Sequence, residues 1–186
     1  GYVVEAWKDG DSVNNADLSI CTIFSNLIVK IKEENGQKES EGYFINGAKN
    51  GIFIHWCPNG IVNSESKYLI DTILYAKTWN TDGIMIMSET YKKGLYASRI
   101  TWDDNGVILS EEEYNGEIPA GTWQTYCNGR LLWKREIIDA ETSFDTWYYD
   151  NGKKKEDGIF NYSIGKKIGT WKYYNEKGKT KKRETF

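Results

Sequence analysis

The sequence predicts an all-β protein, a linear array of about seven antiparallel β-hairpins that form one elongated twisted sheet. Three observations predict this class. Glycines that follow Asn, Asp or Lys recur at intervals of 23 to 26 residues, and large apolar residues recur at one offset from them. Residues that favour strands fill the segments in between. The length, 186 residues, suits one domain or one repeat array.

The first repeat signal is the turn itself. Asn-Gly and Asp-Gly favour a type I′ hairpin turn, because that turn requires positive φ at both central positions. Each pair therefore predicts the tip of one hairpin. The seven pairs are Asn35–Gly36, Asn59–Gly60, Asp82–Gly83, Asn105–Gly106, Asn128–Gly129, Asn151–Gly152 and Lys177–Gly178.

The second signal is an apolar residue eight positions after each turn glycine. We interpret this series mainly as packing. Strand-length segments rich in Trp, Tyr and Thr, such as 121–126 and 169–174, precede the turns. Turn signals at this density leave no room for long helices. The residues at the offset are Phe44, Tyr68, Tyr91, Tyr114, Ile137, Phe160 and Phe186.

The repeat divides the chain into two parts. Residues 26–186 carry the array, whereas residues 1–25 lack the full pattern and are interpreted as a degenerate hairpin or cap. The first residue is Gly, so bacterial cytoplasm and periplasm or cell envelope both remain open. No apolar run has the length of about 18 residues that suggests a membrane span.

Composition narrows the function classes. The net charge is −3, from 24 basic and 27 acidic residues, which disfavours nucleic acid as a partner because phosphate binding needs a basic surface. The three cysteines are odd in number and form no CxxC motif, so neither a disulfide framework nor a structural zinc site is expected. His55 is the only histidine, and no GxSxG, HExxH or P-loop motif occurs. We therefore expect no catalytic residues, metal or cofactor.

An aromatic ladder is the first candidate binding site. It lies three or four residues before the turn glycines, so equivalent strands should place its rings on one face. Such a row suits a groove for a peptide or protein, since Trp and Tyr are common interface hot spots. The alternative is that the rings are the packing of the sheet itself. The ladder comprises Trp56, Trp79, Trp102, Tyr126, Tyr148 and Tyr174.

Acidic residues after the turns form the second candidate site. Glu111, Glu112 and Glu113 are the densest group. They predict an acidic strip that could steer a basic protein partner such as a nuclease toxin. The alternative is a solvated strand face that keeps the array soluble. The other acids of the strip are Glu39, Glu41, Glu65 and Glu89.

The repeat resembles MORN repeats, and more closely the bacterial MORN-repeat variant. The closest matches are GTWQTYCNG at 121–129 and GTWKYYNEKGK at 169–179, followed by GIFIHWCPNG at 51–60 and WYYDNGK at 147–153. The resemblance covers about residues 26–186, and the turns around Gly83 and Gly106 lack the leading Gly-x-Trp. It implies an elongated antiparallel hairpin sheet. Family members include YwqK-type antitoxins, and others are described as protein scaffolds or lipid-binding modules.

These observations predict a non-catalytic protein-binding repeat module. Through the resemblance, the specific expectation is a bacterial antitoxin or immunity protein that occludes a toxin. The alternative is a periplasmic or surface-anchored structural scaffold with lipid association. A lipid partner rests on Lys153, Lys154, Lys155, Lys166 and Lys167, and is the weaker option because acids interrupt these runs.

Overall fold

In the computed structural model, the described residues are 2–8, 11–13, 26–33 and 36–186. Their regular structure is entirely β-strand, and among them there is no helix. The prediction of an all-β, antiparallel hairpin protein is therefore confirmed. The chain divides into two compact units, Gly1–Gly94 and Leu95–Phe186. Much of the predicted N-terminal cap, including Asp9, Gly10 and residues 14–25, lies outside the described residues, and so does Asn35 of the first predicted turn.

The first unit is an antiparallel sheet. Its order is β2-β1-β3-β4-β6-β7-β8-β9, with the two-residue β5 paired to β4 beside the start of β6. From β3 onward, and leaving out the two-residue β5, each strand pairs with the next one along the chain, as hairpin repeats require. The strands are β1 (Tyr2–Lys8), β2 (Asp11–Val13), β3 (Asn26–Glu33), β4 (Lys38–Ile45), β5 (Ala48–Lys49), β6 (Gly51–Trp56), β7 (Val62–Leu69), β8 (Thr72–Trp79) and β9 (Met85–Lys92).

The second unit is an antiparallel meander in which consecutive strands are neighbours from first to last. Its strands are β10 (Leu95–Trp102), β11 (Ile108–Asn115), β12 (Ile118–Cys127), β13 (Arg130–Ile137), β14 (Thr142–Tyr148), β15 (Lys154–Asn161), β16 (Lys166–Tyr174) and β17 (Thr180–Thr185). Across both units the described residues form 17 strands, more than the about fourteen that seven two-stranded hairpins supply. The difference comes from β1, β2 and the short β5.

The type I′ turn predicted for the Asn-Gly and Asp-Gly pairs is wrong at four tips, and the Lys177–Gly178 tip adopts the same different turn. At Gly83, for example, the Asn80 N–H donates to Ile84 O and the Gly83 N–H donates to Asn80 O, which is a type I turn with a glycine bulge. Only the glycine takes positive φ. The same bonds recur at Gly60, Gly106, Gly152 and Gly178.

Side-chain hydrogen bonds explain this preference. Asn80 Oδ1 accepts from the N–H groups of Asp82 and Ile84, and Asp103 and Asn175 do the same in their turns. A side chain that caps its own turn in this way favours the type I conformation. The predicted type I′ turn does form at Asn128–Gly129, with φ of 50° and 72°. It also forms between hairpins at Asn46–Gly47 and Ile70–Asp71.

Each described hairpin has a register shift near the turn end of its first strand. In five hairpins it falls directly before the last strand residue, for example between His55 and Trp56 or between Tyr173 and Tyr174. In the hairpins that begin with β3 and β12 it falls one residue earlier. An extra residue on one strand is a β-bulge, which bends the strand and increases its twist. The ladder residues therefore all sit at bulges, at the point where each strand enters its turn.

Full burial is concentrated in the second unit, on β14, β15 and β16. Of the large apolar side chains in the described residues, only that of Trp171 is almost wholly buried. Its ring lies on Gly158 and beside Lys167, because a single sheet buries side chains chiefly against neighbouring strands. The other buried side chains are Ser143, Asp145, Thr146 and Asp157.

Candidate functional site

Strand alternation gives each sheet two faces with different chemistry. In the second unit, one cross-strand row runs Thr125, Trp133, Trp147, Glu156 and Tyr173. The neighbouring row on the same face runs Trp123, Arg135, Asp145 and Gly158. We call the surface formed by these two rows the tryptophan face. Tyr126 and Tyr174 of the ladder lie on the opposite surface, the ladder face.

A buried ion pair anchors the tryptophan face. Arg135 donates from Nε to Asp145 Oδ1 at 2.9 Å and from Nη2 to Oδ2 at 2.7 Å. Ser143 Oγ and Trp133 Nε1 also donate to this carboxylate, at 2.7 and 3.2 Å. Because a buried charge is tolerated only when it is paired and hydrogen-bonded, these four side chains hold one another in a fixed arrangement.

Aromatic rings surround the guanidinium. Its Cζ lies 4.6 Å from the Trp133 ring centroid, 5.2 Å from that of Phe160 and 5.5 Å from that of Tyr162. Cations are attracted to ring faces, and the attraction grows when water is removed. Arg135 therefore orients Trp133 as well as Asp145.

The Trp133 ring in turn meets an exposed tryptophan. The centroids of Trp133 and Trp147 are 5.8 Å apart, with 37° between the ring planes. Trp147 is 37% exposed, although its neighbours in the row are all held by side-chain contacts. An exposed ring on a rigid frame loses little conformational entropy when a partner covers it. This ring is the feature of the tryptophan face best suited to binding.

Next to Trp147 on the tryptophan face, Glu156 is paired with a lysine. Lys167 Nζ donates to Glu156 and lies 4.0 Å from the Trp171 ring centroid. Trp171 rests on Gly158, where an added Cβ would lie 2.6 Å from ring atoms. Phe53 rests on Gly42 in the first unit in the same way. A glycine under the ring is thus part of how each sheet accepts a large side chain.

The predicted aromatic ladder is half-buried throughout: Trp56, Trp79, Trp102, Tyr126, Tyr148 and Tyr174. Two of its hydroxyls are bound to acids of the preceding strand. Tyr126 donates to Glu111 at 2.6 Å, and Tyr174 donates to Asp157 at 3.2 Å. In the first unit, Lys38 Nζ lies 5.1 Å from the Trp56 ring. These contacts give ladder residues a packing role in each sheet.

Burial and a carboxylate hydrogen-bond acceptor together raise the pKa of two tyrosines, one of which belongs to the ladder. Burial, with the hydrogen bond to Glu111 and its charge, raises the pKa of Tyr126 to about 12. Burial, with the hydrogen bond and charge of Glu112, likewise raises the pKa of Tyr114 to about 12. Both phenols therefore remain protonated hydrogen-bond donors between about pH 10 and 12, where an unperturbed tyrosine ionises.

The side chains of the three consecutive glutamates alternate between the two faces of β11. Glu112 lies on the face of Tyr114 and binds Arg99 at 2.7 Å. Glu111 and Glu113 point to the ladder face, where Glu113 accepts from the Thr122 N–H at 3.1 Å. All three glutamates line a recess of about 380 Å³, together with Ser98, Arg99, Ile100, Thr122 and Gln124. The acidic strip predicted from the sequence is accordingly divided between two faces.

The first unit divides its acids similarly. Glu41 and Glu65 both lie opposite Ile54, whereas Glu89 lies opposite Ala76, one position out of step with Glu65. Glu65 accepts from Tyr75 and lies 3.8 Å from Lys77 Nζ. These acidic side chains of the first unit therefore lie on both faces of the sheet and form no continuous strip.

The other residues singled out in the sequence are His55 and the lysines of the predicted lipid-binding set. His55 is exposed and pairs across the strands with Ser64. Among the described residues no group of three or more His, Cys, Asp or Glu side chains could hold a metal ion. No helix in that part of the chain could cross a membrane. Two lysines of the predicted lipid-binding set are already paired, Lys154 with Asp157 and Lys167 with Glu156.

Sequence reasoning missed the Arg135–Asp145 pair and the exposed Trp147. A usable signal existed for the pair. Arg135 stands at the repeat position that Glu112 occupies one unit earlier, and Asp145 stands where Arg99 or Trp123 stands in other repeats. A charge reversal at two repeat positions that face each other indicates a cross-strand ion pair.

Comparison with known proteins adds no assignment. No family model matches the chain, and no curated protein matches it significantly. The MORN-type resemblance therefore stays a prediction.

Proposed function

We propose that this chain is a non-catalytic protein-binding repeat module, and within that class a bacterial antitoxin or immunity protein that occludes a toxin. The proposal includes the finer architecture expected from the repeat, about seven hairpins in one elongated twisted MORN-type sheet. The partner is a protein, and neither a cofactor nor nucleic acid takes part.

One observation carries the proposal of binding: Trp147 is exposed on a face whose other side chains are held in place. Trp, Tyr and Arg are the residues that most often dominate binding energy, and they do so where the surrounding frame is preorganised. Here Trp147 stands beside Trp133, and Arg135 and Asp145 hold Trp133 from behind. Catalysis has no comparable support.

A second candidate, a structural scaffold, is favoured by bonds between successive turns. Asn59 Nδ2 donates to Thr81 O in the first unit, and Asn151 Nδ2 donates to Glu176 O in the second, both at 2.9 Å. Tyr149 also donates to Tyr174 O at 2.8 Å. Turns joined in this way resist separation of neighbouring hairpins, which suits a spacer. The pairing of Lys154 and Lys167 with acids disfavours a lipid surface as the partner.

Capture of partners on immobilised protein tests the proposal. Wild type is compared with Trp147→Ala and with the matched control Ile159→Ala, whose residue is also 37% exposed but lies on the ladder face beside Phe144. We expect one stoichiometric protein partner that the Trp147 variant loses and the Ile159 variant keeps. Toxicity of that partner, neutralised by the wild-type chain, would support the antitoxin assignment.

A Trp79→Ala, Trp102→Ala variant tests the ladder as the competing surface. Loss of the partner in this variant, with retention in Trp147→Ala, would move the site to the ladder. Absence of any stoichiometric protein partner would overturn protein binding and favour the scaffold.

A further inference from the structure

The chain contains several Asn-Gly pairs, which differ in how the turn holds them. An Asn-Gly pair can deamidate without an enzyme: the backbone nitrogen of the glycine attacks the side-chain amide carbon of the asparagine. The reaction requires that nitrogen to be free of its hydrogen bond and the amide to be free to rotate. The structure shows which Asn-Gly pairs have a hydrogen-bonded glycine N–H and a hydrogen-bonded asparagine amide, and which have neither.

In the type I turns at Asn59 and Asn151 both groups are held. At Asn151 the Gly152 N–H donates to Tyr149 O at 2.8 Å, and Asn151 Oδ1 accepts from the Lys153 N–H at 3.0 Å. Asn151 Nδ2 donates to Glu176 O. Asn59 is restrained by the equivalent three bonds in its own turn.

In the type I′ turn at Asn128 neither group is held. Asn128 and Gly129 are the two central residues, joined to the strands through the Cys127 and Arg130 pair. Both central residues are exposed. Within residues 36–186, no hydrogen bond engages the Asn128 side chain or the Gly129 N–H. Asn46–Gly47, a type I′ turn of the first unit, shares this arrangement.

We propose that Asn128 is the site of spontaneous deamidation in the second unit, with Asn46 as its counterpart in the first. Gly129 N loses its proton and forms a bond to Asn128 Cγ. The Cγ–Nδ2 bond breaks, and the nitrogen leaves as ammonia after taking up a proton. Water then opens the resulting succinimide at either carbonyl, giving aspartate or isoaspartate. The net change replaces NH2 by OH and adds one negative charge.

The consequence is a change in the turn between β12 and β13. Isoaspartate inserts an additional backbone carbon, so the two-residue type I′ geometry no longer matches the twist of the flanking strands. The reaction therefore marks aged protein at one hairpin and leaves the type I turns intact.

Peptide mapping by mass spectrometry tests the proposal. The folded protein is incubated at mildly alkaline pH, and the gain of about 1 Da per event is followed in peptides from a glutamate-specific protease. Asn151–Gly152–Lys153 is a matched control for Asn128–Gly129–Arg130, since a basic residue follows both pairs. We expect Asn128 to react at least about tenfold faster, because the bonds around Asn151 must open first.

Two further arms complete the test. In concentrated guanidinium chloride, where both turns are unfolded, Asn128 and Asn151 should react at similar rates. An Asn128→Gly variant, which keeps a residue able to adopt positive φ, should show no mass gain in its peptide. Equal rates in the folded protein, or an equal rate ratio with and without denaturant, would overturn the proposal.

Discussion

Arg135 and Asp145 face each other across β13 and β14 and share two hydrogen bonds, of 2.9 and 2.7 Å. Both side chains are largely removed from solvent. Removing one member therefore leaves a charge without its counterpart, whereas removing both leaves none.

The first prediction concerns this pair. Arg135→Met should lower the free energy of unfolding by about 3 to 5 kcal/mol, because Asp145 is left buried and unpaired. Arg135→Met combined with Asp145→Leu should recover much of that loss. Chemical denaturation of the three proteins measures the effect. A double variant no more stable than the single one would show that the charge itself is not the cause.

The second prediction concerns the glycine beneath Trp171. Gly158→Ala should destabilise the protein by about 1 to 3 kcal/mol, since the new methyl group would overlap the ring. Thermal unfolding measures the change. Adding Trp171→Leu should make the alanine nearly neutral, because the smaller side chain leaves room for it. If Gly158→Ala costs the same in both backgrounds, the ring contact is not responsible.

The third prediction is a stabilising change at Ile70. Its φ is 47°, a left-handed conformation that β-branched residues adopt poorly, and the side chain is exposed. Ile70→Asn should raise the free energy of unfolding by about 1 kcal/mol. Ile52→Asn is the matched control, because Ile52 is also exposed but lies within β6. A gain at Ile52 as large as that at Ile70 would attribute the effect to lost hydrophobicity instead.

The fourth prediction concerns alkaline pH. The pKa of Tyr114 and that of Tyr126 are raised to about 12, first by burial and then by their acidic partners. The unfolded chain ionises these phenols near pH 10, so it binds fewer protons than the folded chain above that pH. Stability should therefore fall as pH rises from about 10 to about 12.

Ultraviolet titration of the folded protein checks this result. A set of late-titrating tyrosines should appear, and Tyr126→Phe should remove one of them. Glu111→Gln should move the titration of Tyr126 toward lower pH. Unchanged late titration in both variants would contradict the role assigned to Glu111.

The turns and the aromatic positions could be predicted because each depends on local chemistry. Glycine recurs where positive φ is needed, as at Gly83 and Gly152, and strand-forming residues alternate around it. The turn type was harder to predict. A loop one residue longer changes type I′ into a type I turn with a bulge, and side chains such as Asn80 and Asp103 favour that choice.

The contacts on the tryptophan face could not be predicted, because they depend on register between strands. Arg135 meets Asp145 only when the nine intervening residues form a hairpin connection of one particular length. A slip of one residue would send every side chain of a strand to the other face. The sequence also predicts that Glu111, Glu112 and Glu113 form one acidic strip. Consecutive side chains of a strand, however, point to opposite faces, so Glu112 is directed away from the other two.

The bonds between turns have a mechanical consequence. Strands that are adjacent in the chain are also adjacent in the sheet of the second unit, so tension on its ends opens hairpins one at a time rather than shearing many bonds together. In the second unit, the final hairpin peels away only after the contacts from Asn151 and Tyr149 to the last turn have broken. Force applied along the backbone should thus produce stepwise extension, with the turn contacts setting the height of each step.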